Sequence, residues 1–274
     1  MDKIKHIVYT ADLADSSILE EYSCEKISVL DARSAVYVAT GIAAQNKDTV
    51  LVFVNSNNSS RSAFSGMTEA FYRNLRVILV TLGQELNYSK ELNDVVNSHF
   101  VVDSVCELNK LLDFKMPMHI EISTEKINLK SEQSILFELL KIILGNQDYL
   151  YVGQNITFIE EEFQCKVVRG GMPNCLEGSL ANVLGASLAK KRNRYIGVVT
   201  EEEFIHDMNT LGNININDSI LYIVLCTKEN RVILEYASSL GFQCYQYENS
   251  NVTREILAKV INNGKKTLIM ICGE

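Results

Sequence analysis

The stretch Asp31-Ala-Arg-Ser-Ala-Val-Tyr-Val-Ala-Thr-Gly-Ile-Ala-Ala44 constrains the fold more than any other part of the chain. Small residues at Ser34, Ala35, Ala39, Gly41, Ala43 and Ala44 predict a helix with one slim side, able to lie close against a sheet. A Val- and Leu-rich strand follows at once, Thr49 to Asn55, then a polar loop, Ser56 to Ser62. A helix over Ala63–Arg73 and a further strand over Val77–Thr81 come next. Strand, helix and strand in this alternation predict a parallel sheet with helices on its faces. In such sheets ligands sit at the carboxyl ends of the strands.

The same grammar restarts at Asp148. Strands are predicted at Tyr149–Gly153 and Lys166–Val168, followed by the glycine turn Arg169-Gly-Gly-Met-Pro173 and a second slim helix over Gly178–Ala189. Beyond it come a strand to Thr200, a helix over Phe204–Leu211, a strand over Ile220–Cys226 and helices over Arg231–Ser239 and Thr253–Asn262, with a closing strand at Thr267–Ile271. The chain therefore divides into an α/β domain over 1–125, a linker and amphipathic helix over 126–147, and a second α/β domain over 148–274.

A length of 274 residues accommodates two such domains, and 47% hydrophobic with 22% charged residues describes a folded globular chain. The net charge of −8, without a basic block, argues against a nucleic-acid partner, since phosphate contacts need clustered Lys and Arg. The longest apolar runs, Val77–Val80 and Ile220–Leu225, are strand-sized and too short for a membrane span. The first residues carry no secretory h-region, and the seven cysteines are scattered with no C-x-x-C pair. Both features predict a cytoplasmic protein with reduced thiols and argue against a zinc site.

Three segments carry a resemblance. Asp31-Ala-Arg-Ser-Ala35 resembles an Asp-Glu-Arg-Ser-Ala helix start, Leu176-Glu-Gly-Ser-Leu-Ala-Asn-Val-Leu-Gly-Ala186 an Ile-Glu/Asp-Gly-Ser segment, and Phe204-Ile-His-Asp-Met-Asn-Thr-Leu211 a Phe-x-His-Asp-Leu-Asn-x-Leu helix. All belong to thiamine-diphosphate (ThDP) enzymes, most closely the menaquinone-pathway carboligases, and they occur here in the family's order. The resemblance implies a pyrimidine-binding-like domain, a diphosphate-binding-like domain, ThDP and Mg²⁺ as cofactors, and a homodimer or tetramer. An active member would decarboxylate or carboligate a 2-oxo acid.

Carried over residue by residue, the resemblance implies cofactor contacts from Ser56, Asn57, Asn58, Gly178, Ser179, Thr200, Glu202 and Cys226, and metal contacts from Glu201 and Thr227. The family's catalytic glutamate position is Ala32 here. Its Gly-Asp-Gly metal motif reads Thr200-Glu-Glu-Glu203, its Asn-Asn segment reads Cys226-Thr227, and the family's middle domain is missing. Loss of a general acid–base costs about 10²–10⁴ in rate. Carboxylates at 202 and 203 add negative charge where a diphosphate would lie. The sequence thus points to a non-catalytic or divergent relative, a partner subunit or a small-ligand binder, with an active ThDP enzyme as the alternative.

Several of these residues also have plainer readings. Arg33 beside Asp31 is as well explained by an ion pair at a helix start. His206 and Asp207 sit on an amphipathic helix framed by Phe204, Ile205, Met208 and Leu211, which favours a packed or solvated role. Glu202 and Glu203 suit a helix N-terminus through the helix dipole alone, whereas Glu201 stays open as a metal ligand. Cys226, at a strand end, has Lys228 but no histidine base nearby, so a reactive thiol is disfavoured.

Overall fold

The computed structural model describes residues 4–55, 61–83, 92–123, 135–153, 156, 163–170, 176–189, 192–212 and 216–273. The chain forms two compact units, Met1–Asn128 and Leu129–Glu274. Each holds one six-stranded parallel sheet with helices on its faces.

The first unit runs β1 (Ile4–Thr10), α1 (Ser17–Glu20), β2 (Glu25–Val29), α2 (Ala32–Asn46), β3 (Thr49–Asn55), α3 (Phe64–Tyr72), β4 (Val77–Gly83), β5 (Ser98–Val102), α4 (Leu108–Leu111) and β6 (Met118–Ser123). Its strand order is β2-β1-β3-β4-β6-β5. The second runs α5 (Ile135–Ile143), β7 (Asp148–Val152), β8 (Lys166–Arg169), α6 (Ser179–Ala189), β9 (Arg194–Thr200), α7 (Glu201–Asp207), β10 (Ile220–Cys226), α8 (Arg231–Ser239), β11 (Gln243–Glu248), α9 (Arg254–Ile261) and β12 (Thr267–Cys272). Its order is β11-β12-β10-β9-β7-β8. Read from the β8 edge, this is the order of the first unit: second strand, first, third, fourth, sixth, fifth.

The central strands are continuously apolar because both faces are covered. In β3, Val50, Leu51, Val52, Phe53 and Val54 are all buried. Alternate residues serve opposite layers: Val50, Val52 and Val54 pack with Ala35, Val36 and Ala39 of α2 and Met67 of α3, while Leu51 and Phe53 join Ile78, Val80, Met118 and Ile120. In the second unit one face carries α6, α7 and α8 through Val183, Phe204 and Ile233. The other carries α5 and α9 through Leu136, Leu140, Leu257 and Val260. The helix assigned from sequence to the linking segment therefore contributes to the second unit's core.

The slim helix forms as expected, but its glycine has a different place. Ala35, Ala39 and Ala43 are buried against the sheet, whereas Gly41 faces out and a Cβ there would meet nothing within 4 Å. The close approach is supplied by Gly66 of α3, where a Cβ would fall 2.7 Å from the Val36 Cβ. Asp31 caps α2, its Oδ1 accepting from the Ser34 N–H at 2.9 Å. Arg33 Nε lies 4.0 Å from the same carboxylate, which fits the ion-pair reading. Two strands are absent from the sequence-based expectation, β5 and β11, each at a sheet edge.

Candidate functional site

The residues singled out in the second half converge on the carboxyl edge of its sheet. Thr200 ends β9 and pairs in register with Leu225 of β10, so Glu201 and Cys226 follow side by side. Thr200 is also the N-cap of α7, which begins at Glu201 rather than Phe204. Its side chain accepts from the Glu203 N–H at 3.3 Å, and the Glu203 carboxylate accepts from the Thr200 N–H at 2.9 Å. This is a capping box, satisfying two backbone donors reciprocally. Glu203 is fully buried, not solvated, and lies over Gly153 beyond the end of β7, where a Cβ would sit 2.1 Å from Oε2. Glu201 is half-buried and tied to its neighbourhood by the Asn230 side-chain amide, which donates to Oε1 at 2.6 Å. Glu202 is exposed.

Cys226 is buried beside Cys272, its register partner on β12, with sulfurs 3.0 Å apart. Burial raises the Cys226 thiol well above its ordinary value, and the contact with Cys272 and the carboxylates of Glu201 and Glu202 push the same way. A thiolate nucleophile is thus opposed at this strand end. The six cysteines among the described residues are all free thiols. Thr227 is exposed one residue beyond the strand. Gly178 takes φ +85°, a conformation natural to glycine, and its carbonyl accepts from the Asn182 amide at 2.7 Å, just before Ser179 opens α6. Asp207 has a structural partner: its Oδ2 accepts from the Ala181 N–H in the first turn of α6 at 2.8 Å. Ser56, Asn57 and Asn58 lie outside the described residues.

A magnesium diphosphate does not fit the residues gathered here. Such a group needs free donors or cations, and the turn offers Glu201, Glu202 and Glu203 instead. The capping box commits the Glu203 N–H and the Thr200 N–H to internal acceptors. At the opposite, amino end of the sheet, Arg194 Nε donates to Asp148 Oδ1 at 2.8 Å, and Arg192 donates to the Asp148 carbonyl at 3.3 Å. Ala32 is buried in the apolar layer under α2.

A second polar cluster lies in the first unit and was not singled out from the sequence. Thr81 of β4, His119 and Glu121 of β6 and His99 of β5 share one sheet face. Register pairs Thr81 with Glu121 and His99 with His119. His119 and Glu121 are fully buried. Thr81 Oγ1 and His119 Nε2 are 2.8 Å apart, and His99 Nε2 and Glu121 Oε1 are 2.9 Å apart. Burial, and then His99, lower the His119 imidazole to about 3, so the ring is neutral at ordinary pH. The available signal was His119-x-Glu121, two ionisable residues at strand spacing among Met118, Ile120 and Ile122.

Among the described residues no helix is long and apolar enough to cross a membrane. Comparison with protein-family models and with curated proteins finds no match to this chain.

Proposed function

We propose that the chain is a divergent member of the ThDP-enzyme fold group that has given up cofactor chemistry at the inherited position and acts as a binding or partner subunit. The observation that carries this reading is the Thr200–Glu203 turn. Its capping box closes the helix start on itself, and its carboxylates occupy the place where the resemblance expects a metal-bound diphosphate. Two kindred α/β units with one strand order agree with the two-domain expectation. The burial of Ala32 in an apolar layer is consistent with loss of the proton-transfer role. The reading includes a cytoplasmic location, from the free thiols, and a homodimer or tetramer, from the resemblance.

Calorimetric titration of the purified protein with ThDP and Mg²⁺ tests it. The expected result is no binding tighter than about 100 μM, roughly −5.5 kcal/mol. Stoichiometric, tight binding, with CO₂ release from pyruvate or 2-oxoglutarate, would instead make the chain an active Mg²⁺–ThDP enzyme.

A further inference from the structure

We propose that His99, His119 and Glu121 form a binding site for a divalent transition-metal ion of the zinc class. One ligand atom from each residue lies within 4.8 Å of the other two. Two imidazoles and a carboxylate are a donor set suited to Zn²⁺ or Fe²⁺, with a remaining position for water.

The simpler alternative is an ion pair between His99 and Glu121. It accounts for the 2.9 Å contact but leaves two buried atoms, His119 Nδ1 and Glu121 Oε2, without a hydrogen-bond partner among the described residues. His119 Nδ1 is 3.9 Å from Glu121 Oε1, too far for a hydrogen bond. Buried polar atoms in folded proteins are nearly always satisfied, and leaving one unmade is costly. A cation among the three residues gives His119 Nδ1 a partner, and reaches Glu121 Oε2 as well where the carboxylate binds through both oxygens.

Two of the three ligand separations stand near what a tetrahedral ion requires. Ligand atoms around a tetrahedral zinc with bonds of about 2.0–2.1 Å stand about 3.3 Å apart. The observed 2.9 Å and 3.9 Å separations bracket that value. Coordination through Nδ1 requires the proton of His119 on Nε2, where it can be donated to Thr81 Oγ1, 2.8 Å away. This is the outer contact that fixes a ligating imidazole. Entry is through β5, which is the sheet edge and whose His99 side chain retains 21% exposure. Glu121 and Thr81 both stand two residues from the carboxyl ends of their strands, where parallel sheets collect ligands.

The test uses the full chain, stripped with a chelator and dialysed, and titrated with Co²⁺ as a visible stand-in. We expect one equivalent to bind with a Kd at or below about 1 μM. Ligand-field bands should appear in the visible without a thiolate charge-transfer band in the near ultraviolet, and Zn²⁺ should bleach them. The missing charge-transfer band separates this site from Cys226 and Cys272. His99→Ala, on the partly exposed edge, and Glu121→Gln should each weaken binding at least tenfold, with folding checked by circular dichroism. Failure of the unaltered protein to bind Co²⁺ or Zn²⁺ would overturn the proposal, as would full affinity in either folded variant.

Discussion

A methyl group at position 153 would have to share space with a carboxylate. A Cβ on Gly153 falls 2.1 Å from Glu203 Oε2 and 2.6 Å from Oε1. The Gly153 N–H is at the same time held by the Val198 carbonyl at 2.8 Å, so the backbone is not free to withdraw. Gly153→Ala should therefore displace Glu203, undo its bond to the Thr200 N–H and cost about 1–3 kcal/mol in urea denaturation. Adding Glu203→Ala to Gly153→Ala should cost less than the sum of the two single changes, because the clash and the lost bond are one event. Strict additivity would place the strain elsewhere. None of this was legible in the sequence. Gly153 stands at a predicted strand end, and its neighbour Glu203 is fifty positions away. The pairing depends on β7 and β9 lying side by side.

At the scale of the element, α7 shows what local reading can and cannot recover. Thr200-x-x-Glu203 is the sequence signature of a capping box, so the start of the helix was available from the chain alone. The apolar frame of Phe204, Ile205, Met208 and Leu211 instead sets the predicted helix start at Phe204. Thr200→Ala should lower stability by about 1 kcal/mol, the usual worth of an N-cap. Thr200→Ser, which keeps the hydroxyl, should recover most of it in the same thermal melts. The missed strand β11 has a different cause. Gln-Cys-Tyr-Gln-Tyr-Glu at 243–248 alternates weakly and pairs only with β12, so it lacks the continuous apolar run that marks β3 or β10. Likewise β6 lies between β4 and β5, against chain order. That insertion brings His99 beside His119, and no spacing rule within either strand foretells it.

At the scale of the whole molecule, the two domains were legible because their apolar runs are strand-sized and separated by helical patterns. Their common strand order was not, because it is set by packing. The oligomer implied by the resemblance has candidate surfaces in the outward sides of the slim helices, where Tyr37, Val38 and Leu188 are exposed beside Gly41 and Gly185. Light scattering at micromolar concentration should give twice or four times the 30.8 kDa chain mass. Substituting Tyr37 and Leu188 with Lys should shift the mass toward the monomer, and a monomeric unaltered protein would remove the expectation. The all-parallel pairing of both sheets also bears on time. Parallel neighbours cannot be joined by a tight hairpin, so each ladder waits for a crossover to be traversed before its first contact forms. Until then Val50–Val54, Val77–Val80 and Ile220–Leu225 are unpaired apolar segments with high β-propensity. A newly made chain is thus most vulnerable to self-association in the interval before its central strands find partners, and its yield on refolding is a race between closure and encounter, decided by dilution.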